Sequence, residues 1–273
     1  MINLIELVNK YIEDGYNEIY ANAKVAQDIV LSYLFKSEYK NNITIKGGVV
    51  MYNITNDKRR ATIDIDLNLI RIYLADDNLY KIFTSHKLRG IDLYINMNEI
   101  TNLKHQDYNG KRIPVIIKDT FNNEIKTKID VGVHTEYNID QDELCFNTCI
   151  DNESITLFVN SKEQIFVEKI IPIVKFGSLS TRYKDYYDLY WLIKYGNLDR
   201  DKIINIMNDK IFNIRINNIS NIEELINLIE KVLSNEKYLE NLNNRKNNWI
   251  EISNIELKKE IIIYLNSLST VEV

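Results

Sequence analysis

The chain has 273 residues, 45% of them hydrophobic and 27% charged, a balance that excludes wholesale disorder. A net charge of -5 argues against a protein that coats nucleic acid non-specifically, while leaving room for a local basic patch. No uninterrupted apolar run reaches the roughly eighteen residues that a membrane helix needs, so no membrane association is expected. The opening MINLIELVNKYIEDGYNEIY carries acids early and reads as an amphipathic helix, so a cytoplasmic protein is the expectation. Cys145 and Cys149 are the two cysteines, and His86, His105 and His134 lack zinc-finger spacing, which points to buried or idle thiols.

In chain order, two helices are expected first, over residues 2–13 and 17–36. In the second, Ala26, Ile29, Val30 and Tyr33 share one helical face. Ile43-Thr44-Ile45 is a short β-branched strand that ends in Lys46-Gly47-Gly48, and Val49-Val50-Met51-Tyr52 opens a helix. Thr62 to Leu69 alternates, with Ile63, Ile65, Leu67 and Leu69 on one face and Thr62, Asp64, Asp66 and Asn68 on the other. A helical stretch near 77–88 precedes three strand-like runs, Asp92–Ile100, Arg112–Lys118 and Ile125–Val133. Turns at Tyr108-Asn109-Gly110 and Phe121-Asn122-Asn123 separate them, and Pro114 favours an edge position for the middle run. From Ser161 the period becomes helical. Ser161-Lys162-Glu163-Gln164 and Ser220-Asn221-Ile222-Glu223 match capping boxes, and Pro172 predicts a kink or stop. A further helix is expected from about Tyr183 to Tyr195, and Leu225, Ile226, Ile229, Val232 and Leu233 form an apolar stripe. No internal repeat is visible. The pattern predicts an α+β fold: an α/β domain with N-terminal helices over 1–160, built on a mixed sheet with flanking helices, then a C-terminal helical bundle over 161–273.

Asp64 and Asp66 stand two apart on a strand and so project from one face. Two carboxylates about 4–5 Å apart repel by roughly 1–4 kcal/mol, depending on the effective dielectric, and call for a cation between them. Oxygen ligands suit Mg²⁺ or Mn²⁺, ions that also bind substrate phosphates. Asp130, one acid interrupting the apolar run Ile129-Asp130-Val131, is the third candidate metal ligand. A bare D-x-D is more often a solvent-facing edge, and Ile91-Asp92-Leu93 repeats the pattern around Asp130. The upstream order changes the balance. Lys46-Gly47-Gly48 ends a strand and opens a helix, where backbone N–H groups and the helix dipole favour phosphate and glycine allows close approach. Lys46, Gly47, Gly48 and Thr62 are therefore the candidate NTP contacts.

Ile45-Lys46-Gly47-Gly48 followed by Arg60-Ala61-Thr62-Ile63-Asp64-Ile65-Asp66-Leu67 resembles the signature of the AbiEii/AbiGii-type nucleotidyltransferase toxins, a branch of the DNA-polymerase-β-like superfamily. Val167-Glu168-Lys169-Ile170 resembles that family's Glu-Lys helix, and Arg182-Tyr183-Lys184-Asp185-Tyr186-Tyr187-Asp188-Leu189-Tyr190 its basic-Asp-x-x-Asp-Leu segment. The resemblance implies a polymerase-β-like core in which Asp64 and Asp66 bind metal and Lys169 contacts NTP phosphates. An acid of the later segment, Asp185 or Asp188, completes the site, and Asp130 matches the superfamily's third carboxylate. The chain departs from many relatives at Val49, where a Ser or Thr hydroxyl usually follows the glycines.

The resemblance further implies a toxin of a bacterial toxin–antitoxin or phage-defence (abortive infection) system, with a cognate antitoxin as partner. It would transfer a nucleotide from NTP to RNA, with the tRNA 3′ end as acceptor. Rival readings keep the chemistry but change the acceptor to an aminoglycoside-like small molecule or a protein side chain, or keep NTP binding without catalysis. An RNA acceptor requires a basic rim, for which Lys58, Arg59, Arg60, Lys162, Lys175, Arg182 and Lys184 are candidates.

Overall fold

Strand order decides which side chains of this protein can meet. The computed structural model describes residues 2–85, 88–103, 110–134, 140–150 and 154–269, and the chain divides into two compact units, Met1–Asn160 and Ser161–Val273. The first unit opens with helices α1 (Leu4–Glu13) and α2 (Glu18–Lys36), each N-capped by an asparagine, Asn3 and Asn17. Strand β1 (Ile43–Lys46) runs into α3 (Gly48–Thr55), then come β2 (Ile65–Ile70) and α4 (Asp76–Thr84). Strands β3 (Ile91–Ile95), β4 (Thr101–Asn102), β5 (Lys111–Asp119), β6 (Glu124–His134), β7 (Gln141–Asn147) and β8 (Ser154–Asn160) complete the unit. They form one mixed sheet in the order β3-β5-β6-β2-β1-β8-β7, with β4 beside β5. The β2–β6 and β1–β8 pairs are parallel and the others antiparallel. α2 lies against β6 and β8, so it buries far more than the one expected stripe: every residue from Ala23 to Leu34 is buried.

Several local expectations are corrected. Strand β2 begins at Ile65, so Thr62, Ile63 and Asp64 precede it and Ile63 is 45% exposed. The reason is that β1 stops at Lys46, opposite Asp66, where the chain turns into α3. The run expected over Asp92–Ile100 breaks at Asn96, whose side chain accepts the Asn98 N–H and turns the chain. β5 is an interior strand, not an edge. Pro114 is tolerated there because β3 pairs with β5 back to Val115 and β4 pairs only from Arg112, leaving a step between them. The expected turn at Phe121-Asn122-Asn123 forms, with Asn122 in the left-handed region at φ 66°. Tyr108, Asn109, His86 and His105 lie outside the described residues. Cys145 is an exposed free thiol on β7, whereas burial, then the charge of Asp28, pushes the Cys149 thiol well up.

Two buried acids tie distant parts of this unit together. Asp28, fully buried on α2, accepts from the Tyr11 hydroxyl at 2.5 Å, from Lys24 and from the Cys149 backbone N–H at 2.9 Å. Lys24 also lies over the Tyr11 and Tyr52 rings, so the ammonium of this buried ion pair gains cation–π contacts beside its bond to Asp28. Asp119, at the end of β5, accepts from the Phe121 and Asn123 backbones and from Leu4 N–H at the start of α1.

The second unit is helical: α5 (Lys162–Phe176), α6 (Tyr183–Tyr195), α7 (Arg200–Met207), α8 (Ile222–Val232), α9 (Glu236–Leu242) and α10 (Asn254–Ser269). Ser161 caps α5, but Gln164 donates forward to Glu168 and does not reach back to the cap. Pro172 does not stop α5, which runs on to Phe176 because Ile170, Ile173 and Val174 remain buried around the proline. The second capping box is shifted by one residue: Asn221 is the cap and Glu224 accepts from Ser220. The stripe Leu225, Ile226, Ile229, Val232 and Leu233 is buried, with α8 against α10.

Asp119 yields a stability prediction. Burial alone would push its carboxyl up, but hydrogen bonds from Leu4, Asn123 and Phe121 outweigh it and hold the group below the ordinary range. Because the folded pKa is depressed, its stabilisation is present above the unfolded value of about 3.9 and is lost as pH falls through the folded value. Asp119→Ala is expected to cost about 1–3 kcal/mol at pH 7 in urea denaturation, with the difference from wild type shrinking at pH 3.

Candidate active site

The glycine loop rests on the residues of the D-x-D segment. Gly47 has φ +69°, which a side chain rarely adopts, and a Cβ there would meet Asp66 Oδ2 at 2.6 Å. A Cβ on Gly48 would meet Thr62 Oγ1 at 2.7 Å. The chain between β1 and α3 thus passes directly over Asp66 and Thr62, and the Gln27 amide holds the Thr62 carbonyl at 2.8 Å. Lys46, Gly47, Gly48 and Thr62 are brought together with Asp66. Val49 is 1% exposed and contributes to the core under α3.

Pairing across four strands produces a row of charges. Lys46 on β1 is in register with Asp66 on β2, Asp66 with Asp130 on β6, and Asp130 with Arg112 on β5. Directly paired residues point to the same face of a sheet, so the row reads plus, minus, minus, plus. Arg112 holds Asp130 by both oxygens, Nε to Oδ1 and Nη2 to Oδ2, each at 2.7 Å. The hydrogen bonds to Asp130, then the charges of Asp130, Asp64 and Asp66, keep the guanidinium above its ordinary pKa against the opposing effect of burial. Asp64 is exposed ahead of β2 and pairs with Lys128 at 3.2 Å. Asp92, which shares the local sequence pattern of Asp130, instead lies exposed on β3 opposite Lys118.

These three acids offer hard oxygen donors around a positive charge, the chemistry that suits Mg²⁺ or Mn²⁺, with the guanidinium standing where cationic charge is needed. As arranged, no three His, Cys, Asp or Glu side chains converge closely enough to chelate an ion among the described residues, and Asp130 is held by Arg112. Arg112 was not legible as a site residue from its local sequence. The signal that would have found it is the turn centred on Phe121, from which residues 112 and 130 are equidistant.

In the helical unit, α5 and α6 bring Lys169, Asp185 and Asp188 together. Lys169 is 7% exposed and donates to Asp185 Oδ1 at 3.0 Å and to Asp188 Oδ2 at 2.5 Å. Asp188 is fully buried, and its other oxygen accepts from the Trp249 indole N–H at 3.1 Å. Asp185 Oδ2 is buried and accepts no hydrogen bond from the described residues. The two acids, inseparable by sequence spacing, thus differ: Asp188 is anchored through both oxygens, and Asp185 has one to spare. Trp249, 61 residues from Asp188, carried no local signal. Tyr186, Tyr187 and Tyr190 are core residues.

The expected basic rim is reduced. Arg60 is 5% exposed and therefore buried, and Arg59 is engaged by Asp57 at 2.7 Å. Lys58 donates to the Asp14 carbonyl, and Lys162 to the Gly196 carbonyl at 2.7 Å. Arg182 is exposed, and Lys175 and Lys184 are half-buried.

Comparison with known proteins bears on what this arrangement does. Residues 29–250 match the family model described as nucleotidyl transferase AbiEii toxin, type IV toxin–antitoxin system. The fold is similar to that of MenT4, a nucleotidyltransferase toxin from Mycobacterium tuberculosis H37Rv, with a TM-score of 0.50 and 13% sequence identity over 99% of this chain and 100% of that one. No curated protein sequence matches the chain. No helix among the described residues is long and apolar enough to cross a membrane.

The environment of Lys169 predicts a large structural effect besides any chemical one. Removing its charge leaves the fully buried Asp188 without its cation, a loss of about 3–5 kcal/mol. Urea denaturation of Lys169→Met is expected to show that loss, and adding Asp188→Asn is expected to recover part of it.

Proposed function

The chain belongs to the AbiEii family of nucleotidyl transferase toxins of type IV toxin–antitoxin systems, and from that membership we propose that it transfers a nucleotide from NTP to RNA in a Mg²⁺- or Mn²⁺-dependent reaction. The acceptor is the 3′ end of tRNA, and the setting is a phage-defence system in the cytoplasm, with a cognate antitoxin holding the activity in check. The observation that carries this reading is the row Lys46, Asp66, Asp130 and Arg112 laid beside the Gly47–Gly48 loop. A triphosphate needs backbone donors and positive charge, and the row supplies acids for a divalent ion next to both.

Asp64 and Asp66, with Asp130, would hold the ion. When bound, it would lower the pKa of the attacking hydroxyl and offset charge growing on the α-phosphate. Lys46 and the backbone of Gly47 and Gly48 bind the triphosphate, with Thr62 beneath the loop. In the helical unit, family membership assigns Lys169 the role of a phosphate contact and Asp185, with one oxygen in reserve, that of the acid of the later segment. The RNA hydroxyl attacks the α-phosphorus, the bond to the bridging oxygen breaks, and pyrophosphate leaves.

The test is label transfer from each α-labelled NTP to purified tRNA with Mg²⁺ across a salt series. Labelled tRNA is expected at low salt and should fall steeply as salt rises, because each neutralised phosphate releases counterions. Asp66→Asn is expected to abolish transfer with thermal stability unchanged or slightly raised, since it relieves repulsion with Asp130. Transfer to an aminoglycoside in place of tRNA, with a shallow salt dependence, would move the acceptor to a small molecule. NTP binding without pyrophosphate release under any acceptor would reduce the chain to a binding module.

A further inference from the structure

We propose that Arg112 is an internal counter-ion that occupies Asp130 in the metal-free chain and must release it when a divalent ion binds, so that metal loading is a competition between a side chain and the ion. This rests on the metal reading of Asp64, Asp66 and Asp130 given above. The antiparallel β5–β6 register sets Arg112 opposite Asp130, and two bonds of 2.7 Å engage both carboxylate oxygens. A divalent ion on the same carboxylate would put two positive charges beside the guanidinium, so the two cations oppose each other at one acid.

The geometry also says which partner moves. The Arg112 side chain is 41% exposed and that of Asp130 is 14% exposed. Asp130 is flanked by β2 on one side and β5 on the other, whereas the Arg112 side chain, being 41% exposed, is the freer of the two to move. Lys128 makes the comparable contact to Asp64, but through a single 3.2 Å pair whose members are 42% and 54% exposed. A pair that open and singly bonded holds its acid weakly, so the competition falls chiefly on Arg112.

The competition is read by titrating the full chain with Mn²⁺ alone and measuring free Mn²⁺ by electron paramagnetic resonance. Arg112→Gln is expected to bind Mn²⁺ about tenfold more tightly than wild type, because the competent state of Asp130 no longer has to be freed. Arg112→Lys, which keeps the charge but not the fork, should fall between them, and Lys128→Gln should change affinity less than Arg112→Gln. In an Asp130→Asn background the gain from Arg112→Gln should vanish. Should Arg112→Gln fail to fold, Arg112→Lys against wild type carries the test by itself, with tighter binding expected. Equal or weaker binding in the Arg112 variants, or a gain that survives Asp130→Asn, overturns the inference while leaving the metal reading intact. No Mn²⁺ binding by wild type or any variant overturns both.

Discussion

The parallel pairing of β2 with β6 is the constraint from which the rest of the candidate site follows. It sets Asp66 beside Asp130, two acids 64 residues apart in sequence, on one face of the sheet. Neither placement is comfortable alone, since like charges at neighbouring positions destabilise a sheet. The antiparallel strands on either side supply the compensation, Lys46 from β1 and Arg112 from β5. The two acids are thus bracketed by two bases, and the apolar residues of β2 and β6 keep the strands central enough for the row to hold. A local feature, the Gly47 backbone at positive φ, then brings the glycine loop onto Asp66.

How much of this was legible depended on whether the deciding contact was local. Strand β1, the glycines and α3 were readable because each is specified within a few residues, and so was α6, which runs from Tyr183 to Tyr195 as expected. Asp92 and Asp130 show the limit. Their flanking residues are alike, and what separates them is that β3 is exposed along that face while β6 lies between β2 and β5. Pro114 and Pro172 show the same limit from the other side. Each obeys the rule that proline lacks a donor, but a step between two partner strands absorbs one, and a buried helix face outweighs the other. Ile63 was misassigned because alternation continues past the point where β1 stops offering a partner.

The helical unit reaches polar order by a different route. Its charged cluster is buried, with Lys169 between two acids and Trp249 supplying one further donor to Asp188. Such a cluster is expensive unless nearly every bond is made, and here the unmade one falls on Asp185. An incomplete shell at one oxygen, in a cluster otherwise satisfied, distinguishes Asp185 from Asp188 where spacing along the helix does not.

The bonds from Leu4 to Asp119 and from Cys149 to Asp28 span 115 and 121 residues, and β1 pairs with β8 near residue 159. The helices made first on the ribosome therefore wait for the strands made later before their buried acids and amides can be satisfied. During synthesis the first unit cannot close until nearly all of it has emerged, and a nascent chain stopped before β6 has no Asp130 to set beside Asp66.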